Sequence, residues 1–219
     1  MATIAAEDLL KAILELGEDG ETVIAARLAE FLKISSAAVS MALKRLQKKG
    51  YIRIAGKRSI QLTTHGILAA TELVRRHRLI ERLLTDVLHM PWEKVHEEAE
   101  KLEHAISPEL EKRLLERFGK DGACPHGNPF TPRLPHRRAT RMFPLTEAPE
   151  NKRLRVARIA ELHEKEKDFL ISLAKLALKP GSQLIVLRKT FDGILELKVG
   201  GKRARFASHS AARIWVEAV

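Results

Sequence analysis

A segment holding six prolines, from Asp121 to Asn151, divides this 219-residue chain into two parts of different periodicity. Proline fixes φ and has no backbone donor, so neither a helix nor a central strand continues through such a run. Before it, residues 4–120 carry apolar side chains at three- and four-residue spacing, the helical period, apart from a β-like stretch from Tyr51 to Leu62. After it, LRVARIAEL predicts a strand, EKEKDFLISLAKLALKPG a helix stopped by Pro180 and Gly181, and QLIVLRK, ILELKV and KRARFA three short strands. Val199-Gly200-Gly201-Lys202 reads as the hairpin turn between the last two, because glycine enters positive φ without a Cβ clash. The fold expected is mainly α with a small β-barrel at the C-terminal end, and the proline-rich segment is a linker or a docking segment between them.

Within the helical part, VIAARLAEFL is a short amphipathic helix, KISS a turn with Ser35 or Ser36 as cap, and AAVSMALKRLQKKG a second helix ending at Gly50. That is a helix-turn-helix. Such a unit places its second helix in the major groove, with Ser35, Ser36, Ala37, Ser40 and Met41 near the bases and Lys44, Arg45, Lys48 and Lys49 toward its end. Met41 has two equal readings, contact with a thymine methyl or inward packing. YIRI and SIQL then form two strands joined by AGKR, which puts Lys57 and Arg58 at the tip of a wing.

Charge strengthens this reading. The net charge of +11 favours a polyanionic partner, nucleic acid before an acidic membrane surface. Between Glu30 and Glu72 there is no Asp or Glu, while Lys33, Lys44, Arg45, Lys48, Lys49, Arg53, Lys57 and Arg58 all fall there. A solvated helix face explains one basic helix; an acid-free stretch of that length over a helix-turn-helix is the footprint of phosphate binding to double-stranded DNA. Glu7, Asp8 and Lys11 interrupt what would otherwise be the apolar core of a signal peptide. No apolar run approaches the roughly 18 residues of a membrane span, and a single Cys124 allows no internal disulfide. A cytoplasmic protein without a membrane partner is expected.

The segment PWEKVHEEAEKLEHAISPELEKRLLERF predicts a helix recapped at Ser107-Pro108. At about 100° per residue, Val95, Ala99, Leu102 and Ile106 form an apolar stripe, and His96, Glu100, Glu103 and His104 lie along its shoulder. The preceding helix repeats the pattern, with His77 and Glu81 beside Leu73, Ile80 and Leu84. Carboxylates and imidazoles crowded at a buried seam repel or stay desolvated unless a positive charge sits among them. A lone histidine beside an apolar face is usually a core residue; two such groups on adjacent helices, with Asp8 near the start of the first helix, favour a divalent cation.

The strings HRLIERLLTDVL, KVHEEAEKLEH and CPHGNP, following a winged helix, resemble the diphtheria toxin repressor and manganese transport regulator family over essentially the whole chain. The resemblance implies a winged helix-turn-helix at 1–70, a helical metal-binding dimerisation domain at 71–140, a linker at 141–152 and an SH3-like (FeoA-type) barrel at 153–219. It implies a primary metal site on Asp8, Glu100, Glu103 and His104. A second site falls on His77, Glu81 and His96 in some members, and on Glu81, Cys124 and His126 with a barrel carboxylate in others, here Glu161 or Glu164. Iron-responsive relatives carry Met and Cys where this chain has Asp8 and Glu100, and the harder oxygen ligands point to Mn²⁺ first and Fe²⁺ second. Manganese-type relatives with a glutamate one turn after Asp8 hold a metal pair, but this chain has Lys11, which favours a separate second site using Cys124 and His126.

The function expected is a metal-dependent repressor of metal-uptake genes. Metal would fix a homodimer so that its recognition helices match a palindromic operator. Two rivals are a winged-helix regulator without metal control and a metal-dependent nuclease built on Glu100, Glu103 and His104; the sequence shows no nucleophile or Gly-rich phosphate loop for the second.

Overall fold

The structure, a computed structural model, describes residues 4–132, 142–160 and 167–219, without the side chains of Ile4, Lys57 and Lys167. The first helix, α1 (Ile4–Glu18), buries Leu9, Leu10, Ile13 and Leu14 in a core completed by α2 (Ala25–Leu32), α3 (Ser36–Lys48) and the strands β1 (Ile52–Ala55) and β2 (Ser59–Leu62). Ser35 caps α3 by accepting from Ala38 N at 3.2 Å, which satisfies a donor that the first helical turn leaves free. Val39, Leu43 and Leu46 face inward from α3, each contributing roughly 1.5–3 kcal/mol by leaving water. The wing strands pair antiparallel with Ile52 opposite Leu62 and Ala55 opposite Ser59.

Helix α4 (Thr64–Asp86) starts at a Thr63 cap and runs without interruption through residue 70. Its first turns close the winged-helix core with Ala70 and Val74. Its last turns bring Ile80 and Leu84 against Val95 and Ala99 of α5 (Val95–Leu102). Ser107 caps α6 (Pro108–Phe118) and Pro108 occupies its first turn, as the sequence predicts. The apolar clusters of this middle region are small: Ile80, Leu84, Val95 and Ala99 form one, and Leu79, Leu114 and Phe130 another. In their place the region buries His77, Arg78, Glu81, Glu103, Glu111 and His126. Buried ionisable groups are tolerated only when paired or bound to a metal, so here ionic chemistry does part of the work of a core.

The C-terminal region is a six-stranded antiparallel sheet in the order β3-β8-β4-β5-β6-β7. Its strands are β3 (Phe143–Pro144), β4 (Arg153–Ile159), β5 (Gln183–Lys189), β6 (Ile194–Val199), β7 (Lys202–Ala207) and β8 (Ile214–Ala218). Helices α7 (Lys167–Lys175) and α8 (Ser208–Ala211) accompany them. Val199 pairs with Lys202 across the Gly-Gly turn. Irregular register between Val156 and Arg158, and between Val186 and Arg188, bends β4 and β5. The segment after the masked part of the proline run is not a free linker: Phe143 and Pro144 pair with β8, and Leu145 and Ala148 are fully buried in the sheet's core. A two-residue strand has no period to read, which is why the sequence gives no sign of it.

The sheet is fastened to the rest of the chain at one place. Asn128 Nδ2 donates to Ile159 O at 2.9 Å, and Ile159 N donates to His126 O at 2.8 Å. The CPHGNP loop is thereby held along β4. Among the described residues, no helix is long and apolar enough to cross a membrane.

Candidate metal centres and nucleic-acid face

Because Val39, Leu43 and Leu46 turn inward, the opposite side of α3 presents Ser35, Ser36, Ala37, Ser40, Met41, Lys44, Arg45 and Lys48, all exposed. Met41 is 58% exposed, which removes the inward-packing reading and leaves it available to a base edge. Arg58 is exposed at the wing, in the left-handed region at φ 60°; the side chain of Lys57 lies outside the described residues. This face has no acidic residue, so it offers phosphate a continuous positive surface.

Helix α1 also carries the first half of a metal centre. Asp8 Oδ1 lies 2.8 Å from His104 Nε2, and Glu103 Oε1 lies 3.8 Å from the same nitrogen. Asp8, Glu103 and His104 each offer one ligand atom within 4.8 Å of the others. Helix α5 ends at Leu102, so Glu103 and His104 sit where the chain leaves the helix and turns toward α1. Glu100 is still inside α5 and is placed elsewhere: its Oε1 is 3.4 Å from His96 Nε2, one helical turn away. The fourth ligand expected with Asp8 therefore pairs with a histidine of the neighbouring group in this structure.

A second cluster surrounds Glu81, where His77 Nε2 and His96 Nδ1 each lie 3.2 Å from Oε1, and His126 Nδ1 lies 3.3 Å from it. Cys124 Sγ is 3.9 Å from His126 Nδ1. Two ligand sets share this carboxylate, His77–Glu81–His96 and Glu81–Cys124–His126. Both alternatives open in the sequence are thus assembled around one residue. Glu161 and Glu164, the barrel ligands expected beside Cys124, lie outside the described residues.

The chemistry of these residues fits a divalent cation. Glu81 Oε2 is buried and accepts no hydrogen bond, an arrangement that leaves a desolvated carboxylate oxygen in need of a positive partner. Burial alone would raise the Glu81 carboxyl, but His126 and His77 hold it well below its ordinary range. Burial also opposes charge on His96, yet its hydrogen bonds to Glu100 and Glu81 push it up to about 10. Without metal, protons on the histidines supply the positive charge. A Mn²⁺ or Fe²⁺ ion held by His and carboxylate donors would supply it in their place. Glu103 joins the two clusters: its carboxylate also receives His77 Nδ1–H, which turns His77 Nε2 toward Glu81 and His96.

Two functional neighbours escape the sequence reading. Glu7 Oε2 lies 3.1 Å from His104 Nδ1 and orients that ring; its only signal in the sequence is adjacency to Asp8. Lys11, read only as a departure from a two-metal pattern, is buried and donates to Glu103 Oε2 at 2.7 Å and Oε1 at 3.0 Å. The signal for it is a lysine on the apolar face of α1, between Leu10 and Leu14.

Comparison with known proteins is consistent with this geometry. Residues 1–60 match the family described as "Iron dependent repressor, N-terminal DNA binding domain", and residues 63–132 match "Iron dependent repressor, metal binding and dimerisation domain". Residues 143–218 match the FeoA domain. The chain is 32% identical over 222 residues to the iron-dependent repressor IdeR of Mycobacterium leprae, covering 97% of this chain and 96% of that protein. It is 33% identical over 220 residues to the diphtheria toxin repressor of Corynebacterium diphtheriae, covering 96% of each. A solved manganese-dependent transcriptional repressor in complex with manganese superimposes with a TM-score of 0.84 at 30% identity, covering 98% of this chain and all of the other. The C-terminal sheet is accordingly an SH3-like FeoA domain, and the nuclease reading falls away. The chain belongs to the iron-dependent repressor family of metal-dependent, DNA-binding transcriptional regulators.

Proposed function

We propose that a divalent ion, Mn²⁺ first and Fe²⁺ second, joins Asp8 to Glu103 and His104, with Glu100 completing the set by a side-chain rotation away from His96. The observation that carries this reading is the 2.8 Å approach of Asp8 to His104. Asp8 belongs to α1, which packs in the DNA-binding core, and His104 to the turn after α5. An ion there ties the angle of the DNA-binding head to the sensor helices. Without it, the acidic groups repel and the head samples other orientations; metal selects the one that fits DNA. A second ion at Glu81, with Cys124 and His126, would fasten the CPHGNP loop.

A homodimer is the assembly expected for a metal-binding and dimerisation domain. Val87, Leu88, Leu102 and Leu110 are exposed on or beside α4, α5 and α6, and are suited to a second copy. Two-fold symmetry would set the recognition helices about one DNA turn, roughly 34 Å, apart over a palindromic operator. Repression of metal-uptake genes in a cytoplasmic setting follows from that logic: bound metal reports sufficiency and closes the supply.

The test is fluorescence anisotropy on duplexes selected from a random pool in the presence of Mn²⁺, titrated with Mn²⁺, Fe²⁺, Zn²⁺ and chelator. Binding should rise with metal and fall with chelator, and Asp8→Ala should lose the response. Equal DNA affinity in metal and chelator would leave a winged-helix regulator without metal control.

A further inference from the structure

Lys11 is the one buried ammonium among the described residues of this region, and the proposed metal switch makes no use of it. It stands on α1, one turn after Asp8, with its side chain 7% exposed. Its Nζ is 2.7 Å from Glu103 Oε2, 3.0 Å from His77 Nδ1 and 4.0 Å from Glu15 Oε1. Glu103 is the carboxylate common to both centres, beside His104 on one side and His77 on the other. The ammonium therefore occupies the junction between the Asp8 group and the Glu81 group. Burial alone would discharge it, but Glu15 and Glu103 hold it above its ordinary value, so it stays a cation.

We propose that Lys11 is a built-in cation at the junction of the two centres, which docks α1 onto Glu103 and His77 before any ion arrives and restricts the Asp8 centre to a single divalent ion. Three consequences follow from its charge and position. An ion at Asp8 must share Glu103 with the ammonium; a carboxylate has lone pairs enough for both, but the shared ligand binds the ion less tightly. The ammonium also repels any cation in its place, so a second ion cannot bridge Glu103 and His77. Finally, part of the contact between the DNA-binding head and the sensor helices is independent of metal. Lys11 is thus a positioning and specificity residue, setting how many ions enter and how strongly the apo head is docked.

This inference rests on the Asp8 centre proposed above, and the two fail in different ways. If the centre itself is wrong, the unaltered chain binds no Mn²⁺ that Asp8→Ala removes. The test of Lys11 uses the full chain with Mn²⁺ alone. Electron paramagnetic resonance at saturation should show magnetically isolated Mn²⁺, and an exchange-coupled pair would overturn the proposal even if no variant folds. Lys11→Met, which removes the charge at similar reach, should bind Mn²⁺ roughly tenfold more tightly because the nearby positive charge is gone. In chelator it should lose hydrogen-exchange protection across α1, whereas Lys11→Arg, which keeps the charge, should retain both the original affinity and the protection. A folded Lys11→Met variant with unchanged Mn²⁺ affinity and unchanged α1 protection would refute the assignment.

Discussion

Arg158 of β4 reaches across to Asp19, just beyond α1, with Nη1 2.8 Å from Oδ1. The same guanidinium donates to Asn128 Oδ1 at 3.1 Å and lies 4.4 Å over the ring of Trp215. One side chain therefore connects the FeoA sheet, the CPHGNP loop and the DNA-binding head. Arg158→Ala should cost about 3 kcal/mol, because it leaves Asp19 buried without this partner. Calorimetry should show the C-terminal sheet melting apart from the helical part; a single unshifted transition would show that this ion pair does not couple them.

Gly127 carries φ 85°, and a Cβ there would stand 2.4 Å from Ala157 O and 2.9 Å from Arg158 Cα. Gly127→Ala should therefore lift the loop off β4 and destabilise the chain by roughly 1–3 kcal/mol. Metal binding at Cys124 and His126 should weaken with it, while binding at Asp8 is retained. Chemical denaturation followed by metal titration measures both effects.

Glu81 serves both alternative sets of the second centre, so Glu81→Gln should eliminate the second ion whichever set is used. Cys124→Ser separates the two. With Co²⁺ as the probe, the thiolate-to-metal absorption should vanish in this variant and the second ion should bind more weakly. Loss of the second ion in His96→Ala, with Cys124→Ser behaving as the unaltered chain, would assign the site to the three residues of α4 and α5 instead.

Protonation supplies a further check on the metal-free fold. His96 is pushed up to about 10 from 6.5, so its stabilising contribution is complete below 6.5 and is lost as pH rises through 10. Burial opposes charge on Glu100 as well, but His96 holds it down to about 2 from 4.5, so its contribution is complete above 4.5 and is lost as pH falls toward 2. The Tm in chelator should accordingly be highest between 4.5 and 6.5. Mn²⁺ affinity should show the opposite trend above 6.5, because each ion taken up by His96 and its neighbours displaces protons. A Tm in chelator that climbs steadily above 6.5 would contradict the pairing of His96 with Glu81 and Glu100.

On DNA, Lys44 is exposed on α3 beside the residues facing the bases. Lys44→Ala should weaken binding to all sequences alike and reduce the slope of log K against log salt by about one, as for the loss of a single phosphate contact. Met41→Ala should instead change sequence preference at one position and leave the salt slope intact. Anisotropy titrations at several salt concentrations distinguish these outcomes.

The local order of the chain was legible before any coordinates. The helix-turn-helix, its Ser35 cap, the break at Ser107-Pro108 and the Gly-Gly hairpin each depend on residues within a few positions of one another, and periodicity and capping report such relations directly. The exposed face of α3 was legible for the same reason, since Val39, Leu43 and Leu46 fix which way it turns. The ligand types along the shoulders of α4 and α5 were visible too, as polar residues where an apolar seam should widen.

Only the tertiary structure decided which of those residues meet. Asp8 and His104 are 96 positions apart, and Lys11 and Glu103 are 92 apart. The approach of α1 to the turn after α5 depends on packing through α4, a relation no local pattern encodes. The same packing sends Glu100 to His96, gathers two alternative ligand sets on Glu81, and makes Lys11 a buried cation between the centres. The sequence by itself determined a basic winged helix joined to a polar helical sensor and a small sheet. The fold decided how the metal groups are shared, because a charge is held inside a protein only where distant segments supply its partner.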